Sequence, residues 1–249
     1  MEKNKIKSIV RESYSKIAKN EGACCSCSCK KDEQEKIAKM IGYSNEELKT
    51  PGNLGLGCGN PIAIGKIKER DTVLDLGSGA GFDCFLASRK VGEKGKVIGV
   101  DMTPEMIERA RNNAKKNNYK NVEFKLGEIE NLPIENNSID VIISNCVINL
   151  SPDKNKVFKE AYRVLKKNGK MYVSDIVLLG ELTKEQKNNP DLLSGCVAGA
   201  LQKEDYIKII KKVGFKVNIL SEDKEISKKQ YNGIALESLK VEAVKANIL

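Results

Sequence analysis

Apolar residues at Ile6, Ile9, Val10, Tyr14 and Ile17 fall close to one helical face, so the spacing predicts an amphipathic helix over 6–20. The next stretch, 22–31, has no core pattern: Cys24, Cys25, Cys27 and Cys29 stand among Ser, Gly and Ala, which predicts a thiol-rich loop. A short helix follows over 36–41, a helical turn at 45–48, and turn chemistry at Thr50-Pro51-Gly52-Asn53. From Thr72 the period changes. Val73-Leu74-Asp75-Leu76 is an extended apolar run feeding Gly77-Ser78-Gly79-Ala80-Gly81 and a helix over 85–91. Strands are predicted at 96–100, 122–126, 139–144 and 170–176, with helices at 104–117 and 154–165 between them. Strands alternating with helices imply an α/β fold with a parallel, doubly wound sheet. Beyond Ile176 the chain turns polar (181–189), then small and apolar (191–201), then helical (203–213). Two further strands, 216–220 and 239–244, complete a seven-stranded sheet with 181–203 inserted above it.

A chain of 249 residues can bury one substantial core with an appendage. The net charge of +9 comes from pairs such as Lys115-Lys116, Lys166-Lys167 and Lys211-Lys212, which alternate with acids along predicted helices and read as solvated faces. There is no Trp, and no run interleaves basic residues with stacking rings, so no nucleic-acid partner is expected. The charged N-terminus lacks the apolar run of a signal peptide, and no stretch has the length of a membrane span. A cytoplasmic monomer without a membrane partner is the expectation. Histidine is absent altogether, which excludes Ser/His/Asp triads, Cys/His dyads and imidazole-ligated zinc. Sulfur must carry any soft chemistry, and in a reducing compartment the eight cysteines rest mostly as thiols.

The glycines of Asp75-Leu76-Gly77-Ser78-Gly79-Ala80-Gly81 fall at alternate positions, unlike the dinucleotide fingerprint. Such a loop allows close backbone approach and, with no pyrophosphate to cradle, suits a cofactor with an amino-acid tail, S-adenosylmethionine. Asp101 ends the second strand, where an acid accepts ribose hydroxyls, and Met102 beside it can pack on adenine. Gly127-Glu128-Ile129-Glu130 follows the third strand and puts a carboxylate near the adenine amino group. Cys58, Cys146 and Cys196 each sit in a short Gly-, Ser- or Asn-rich phrase from a distant segment, which suggests a soft-ion site.

With these phrases in place the chain resembles the arsenite S-adenosylmethionine methyltransferases of bacterial and archaeal type. The likeness runs from Val10-Arg11-Glu12-x-Tyr14 through Asn53-Leu54-Gly55-Leu56-Gly57-Cys58-Gly59-Asn60-Pro61, Asp75 to Ala87, and Gly99-Val100-Asp101-Met102-Thr103-Pro104-Glu105-Met106. It continues in Ser144-Asn145-Cys146-Val147-Ile148-Asn149-Leu150 and Gly195-Cys196-x-x-Gly199-Ala200. The resemblance implies a class I methyltransferase, Rossmann-like sheet with a small inserted and C-terminal substrate-binding cap. It implies three units: a helical segment with the Cys-rich loop (1–50), the S-adenosylmethionine-binding domain (51–180), and the arsenic-binding cap with the final strands (181–249). The cofactor set it implies is Asp75, Gly77, Ser78, Gly79, Gly81, Asp101, Met102, Glu128, Ile129 and Asn145. Cys58, Cys146 and Cys196 would hold As(III), which arrives as a thiol conjugate, and the activity would serve arsenic detoxification. Methylation oxidises the arsenic, so a small thiol or thioredoxin-type reductant is implied, with Cys24, Cys25, Cys27 and Cys29 as redox candidates. Closure of the Cys58 loop and the Cys196 cap over the arsenic is expected, and Cys84 is expected to be packed and inert. Some family members carry an aromatic residue two positions before the first ligand cysteine, where this chain has Leu56. Two other readings stay open. One is a carbon methyltransferase of a quinone-like acceptor, with which the chain shares the glycine loop and a Leu132-Pro133-Ile134 type of segment; the other is a non-catalytic thiol module for soft metals.

Overall fold

The computed structural model describes residues 2–19, 31–227, 231 and 233–246, with the side chains of 31–34 left out of the description. Cys24, Cys25, Cys27 and Cys29 lie outside the described residues. A seven-stranded sheet runs in the order β3-β2-β1-β4-β5-β7-β6. Its strands are β1 (Thr72–Leu76), β2 (Lys96–Asp101), β3 (Val122–Leu126), β4 (Ile139–Asn145), β5 (Leu165–Leu178), β6 (Phe215–Asp223) and β7 (Leu236–Lys245). β1 to β5 pair in parallel, and β7 enters antiparallel between β5 and β6. The doubly wound sheet expected from the alternation is therefore present.

The central strands are apolar along their whole length because both faces are covered. One face, with Leu74, Leu76, Ile142 and Val173, packs on α6 (Lys154–Val164) and α9 (Lys203–Val213) through Phe158, Ala161, Tyr206 and Ile210. The other, with Val73, Val97, Val141 and Tyr172, packs on α3 (Pro61–Ile64), α4 (Phe82–Val91) and α5 (Pro104–Lys116) through Ile62, Phe85, Ile107 and Ala110. The amphipathic N-terminal pattern forms α1 (Lys3–Lys19), which crosses the carboxyl end of the sheet and packs on α5 and on α8 (Pro190–Ser194). No helix among the described residues is long and apolar enough to cross a membrane.

Several elements differ from the sequence reading. α2 spans Lys31–Met40, starting before the predicted 36–41. β5 runs on to Leu178 because its ladder with β7 continues to the Leu178–Leu236 pair. The polar stretch 181–189 contains α7 (Lys184–Asn188), closed by a capping box between Thr183 and Gln186. In α8 the Asn189 side chain caps the N–H groups of Asp191 and Leu192, with Pro190 in the first turn, where its missing N–H costs nothing. A third apolar cluster joins α1, this inserted segment and the sheet edge through Val10, Ile176, Leu193, Val197 and Leu236, and it contains Cys58, Cys146 and Cys196.

Candidate functional site

The strand order reverses between β1 and β4, and there the carboxyl ends of the strands open a cavity of about 500 Å³. Gly77, Ser78, Gly79 and Ala80 line it, with Asp75 from β1, Asp101 and Met102 from the end of β2, and Ile129 beyond β3. Lys7, Val10 and Tyr14 of α1 contribute to one wall. Two glycines make the loop possible. Gly77 has φ 69° and sits where a Cβ would collide with Val147, whereas at Gly79, with φ 50°, a Cβ would meet nothing within 4 Å. The first lets the loop press on the neighbouring turn, and the second leaves open space beside it.

The cavity is rich in acid. Asp101 accepts the N–H of Gly79 at 3.0 Å and of Thr103 at 2.8 Å, which fixes its carboxylate beside the loop; burial raises its pKa against these hydrogen bonds. Asp75 is pushed well above the usual carboxylate range by burial and by the neighbouring Asp83. Asp83 is raised to about 6 by burial, although the Tyr43 hydroxyl donates to it at 2.6 Å. Ser78 Oγ is buried without a protein partner. An acid-lined cavity with an orphaned hydroxyl matches a polar, cationic ligand, so the residues present fit S-adenosylmethionine, which carries an ammonium and a sulfonium.

Asn145 lines the same cavity, but its amide is spent on the Cys58 loop. Its oxygen accepts the Cys58 N–H at 3.2 Å, and its nitrogen donates to the Gly59 carbonyl at 2.8 Å, to Tyr43 Oη at 3.1 Å and to Asp83 at 3.3 Å. One side chain at the end of β4 thus pins a segment 86 residues earlier.

The three cysteines converge. Cys58, Cys146 and Cys196 are 2%, 7% and 4% exposed, so all three thiols lie inside the apolar cluster rather than on open loops. Cys58 and Cys146 Sγ lie within 4.8 Å of one another, and the Cys196 thiol donates to the Cys146 carbonyl at 2.7 Å. Cys146 and Cys196 also share a left-handed backbone, φ 54° and 68°, a conformation uncommon for residues other than glycine and concentrated at functional sites. Burial pushes the Cys146 thiol up, but hydrogen bonds from Cys196, Cys58 and Tyr231 outweigh it and hold the pKa well below the thiol range. Burial pushes Cys58 well up, reinforced by Cys146. The groups around Cys146 thus favour the thiolate form there more than at Cys58. The fold already holds the Cys58 and Cys146 sulfurs within 4.8 Å of one another, whereas Cys196 shares their apolar cluster without its sulfur joining that set.

Some expected residues sit elsewhere. Glu128 does not line the cavity: Lys7 draws its carboxylate away at 2.6 Å with Arg11 at 3.6 Å, and Gly127 and Glu130 line the wall instead. Gly81 lies behind the loop as the N-cap of α4, close to Phe85 and Phe124. Cys58 does not border the main cavity but a second one of about 130 Å³, with Met40, Ile41, Gly42, Ser238 and Lys240. Cys84 is fully buried, as expected, and its thiol donates to Asp75 at 3.2 Å. The sequence reading missed Asp175, whose carboxylate lies within 4.8 Å of the Cys58 and Cys146 sulfurs, and Tyr231, which supports the Cys146 thiolate. An acid inside the apolar run Val173-Ser174-Asp175-Ile176-Val177 was the available signal.

Residues 67–214 match the family model described as a methyltransferase domain. An arsenite methyltransferase of Halobacterium salinarum is 46% identical over 220 residues, covering 83% of this chain and 56% of that protein. An arsenite methyltransferase of Aquipseudomonas alcaligenes is 41% identical over 178 residues, covering 69% of this chain and 51% of that protein. This chain thus spans little more than half the length of either relative. Among solved structures, the crystal structure of an arsenic(III) S-adenosylmethionine methyltransferase from Chlamydomonas reinhardtii superposes with a TM-score of 0.68 at 36% identity, over 85% of this chain and 74% of that one.

Proposed function

Because the chain belongs to the methyltransferase-domain family, and within it to the arsenite S-adenosylmethionine methyltransferases, we propose that it methylates As(III) held by Cys58, Cys146 and Cys196. The gathering of these three cysteines, from segments far apart in sequence, into one apolar cluster beside an acid-lined cavity that Cys146 and Cys196 line carries the reading. Three sulfur donors suit a soft, pyramidal As(III) substrate. When bound, S-adenosylmethionine supplies a sulfonium methyl group, an electrophile that the arsenic lone pair attacks without losing a proton, so no general base is called for.

The chain's own residues bind and orient. Asp101 would hold the ribose, Met102 and Ile129 the adenine, and Asp75 the ammonium, with Gly77, Ser78 and Gly79 giving close backbone approach. Cys146, whose neighbours hold its pKa below the thiol range, is the residue to begin the loading of arsenic from its thiol conjugate, because the thiolate is the attacking form. Asn145 fixes Cys58 beside it. α1 and the apolar cluster around Val10, Leu193 and Val197 exclude water from the arsenic.

The return of methylated arsenic to the trivalent state draws electrons from thiols. We assign this to a small thiol or thioredoxin-type reductant, with Cys24, Cys25, Cys27 and Cys29 as relays. The division into 1–50, 51–180 and 181–249 belongs to the same proposal, as does arsenic detoxification in a cytoplasmic setting. A carbon methyltransferase of a quinone-like acceptor would have no use for three converging thiols.

The test is methyl transfer from labelled S-adenosylmethionine to As(III) in excess thiol, with the arsenic species separated. The intact chain is expected to give methylated arsenic and Cys146→Ser to give almost none. Cofactor binding without transfer to arsenic, or full activity in Cys146→Ser, would overturn the reading.

A further inference from the structure

Asp175 is fully buried in β5, on the strand that carries the Cys58 contact Ser174. Its carboxylate accepts Asn149 Nδ2 at 2.8 Å and the Ile176 N–H at 3.0 Å on one oxygen, and Tyr206 Oη at 3.0 Å on the other. A carboxylate has about four acceptor directions, so these three bonds fix its orientation and leave one. It lies within 4.8 Å of both the Cys58 and Cys146 sulfurs, and all three groups are buried. The amine of Lys154 is close by, but it bonds the carbonyls of Asn149 at 3.4 Å and Ser151 at 3.1 Å, not a carboxylate. Buried carboxylate and sulfur donors gathered in this way ionise together only with a counter-charge such as a metal ion.

We propose that Cys58, Cys146 and Asp175 form a site for a thiophilic divalent cation of the zinc class, distinct in its donor set from the arsenic site. A tetrahedral zinc with Zn–S near 2.3 Å and Zn–O near 2.0–2.2 Å places its ligand atoms about 3.3–3.8 Å apart, so the present cluster closes on the ion with shifts of roughly 1 Å or less. The fourth position falls to Cys196 or water. Binding displaces the Cys58 proton to solvent and gives the buried carboxylate a counter-charge. As(III) differs, because its lone pair occupies one direction and it prefers sulfur throughout. On the reading of the preceding section the two ions share Cys58 and Cys146 and exclude each other.

The test uses Zn²⁺ and Co²⁺ salts, without arsenic or cofactor, so its outcome is independent of the methyltransferase activity. The whole 249-residue chain with Cys24, Cys25, Cys27 and Cys29 all changed to Ser removes competing thiols. Zinc affinity is measured against a chromophoric chelator, and the Co²⁺ form is examined for thiolate-to-metal absorption. The expected result is one ion per chain, loss of the absorption in Cys146→Ser, and an affinity at least about tenfold weaker in Asp175→Asn. Zinc that binds only when the four loop cysteines are present, or an unchanged affinity in Asp175→Asn, overturns the proposal. Should Asp175→Asn fail to fold, zinc-edge X-ray absorption of the chain with Asp175 intact decides. A first shell of mixed sulfur and oxygen is expected, and a shell of sulfur alone refutes it.

Discussion

Replacing Asn145 with Ala should separate two roles that its position at the end of β4 superimposes. The side chain makes four hydrogen bonds, to the Cys58 N–H, the Gly59 carbonyl, Tyr43 and Asp83. Each is worth about 1 kcal/mol net, and stranding a buried backbone donor or acceptor costs about 1–3 kcal/mol. The loss is therefore about 3–5 kcal/mol in stability, or roughly 10 °C in melting temperature for a domain of this size. A displacement of Cys58 by about 1 Å is enough to lower transfer roughly a hundredfold. Arsenite affinity and S-adenosylmethionine affinity are then measured separately by calorimetry on the folded variant. If Asn145 serves chiefly to place Cys58, arsenite binding falls and cofactor binding changes little. Collapse of cofactor affinity with arsenite binding retained would refute that argument and return Asn145 to the cofactor set.

Asp83, with its pKa raised to about 6, binds a proton in the folded chain that an unfolded carboxyl has lost, so its contribution to stability declines as pH rises from about 4 to about 6 and is unfavourable above. A cationic cofactor favours the ionised form; its affinity should therefore rise over the same window, and Asp83→Asn should flatten the profile in a calorimetric titration spanning that window and the unit of pH above it. Gly79→Val projects a branched side chain into the open space beside the loop at a positive φ, and should abolish equilibrium cofactor binding while costing only about 1–2 kcal/mol of stability by denaturant titration. Tyr231→Phe removes a hydrogen bond that holds the Cys146 thiolate, so the pH midpoint of Cys146 alkylation should move upward. Lys7 clasps Glu128 at 2.6 Å and Glu130 at 3.4 Å, and Lys7→Ala should speed amide hydrogen exchange across α1, with little change in the sheet.

The alternation of apolar strands and amphipathic helices made the sheet legible, because buried parallel strands leave continuous Val- and Ile-rich runs. The glycine loop was legible for a different reason: Gly77 and Gly79 hold backbone conformations that side chains resist. Glu128 was misplaced because its position depends on α1, which lies more than a hundred residues earlier and draws its carboxylate to Lys7. Asp175, Tyr206 and Tyr43 were missed since each acts through partners remote in sequence; the Tyr43–Asp83 bond alone spans 40 positions. The three cysteines proposed as ligands could be picked out by their phrases. Their burial in one apolar cluster, with the Cys146 pKa held down by its neighbours, required the packing of α1, β4 and the segment after α8.

On the proposed reaction arsenic binds the sulfurs of Cys58, Cys146 and Cys196, the first two of which the fold already holds within 4.8 Å of one another. Arsenic-edge X-ray absorption of the arsenite-loaded chain, compared with Cys196→Ser, tests it most directly. The account predicts a first shell of three sulfurs in the intact chain, falling to two sulfurs and one oxygen in the variant. An oxygen-dominated shell, or three sulfurs retained in Cys196→Ser, would contradict it.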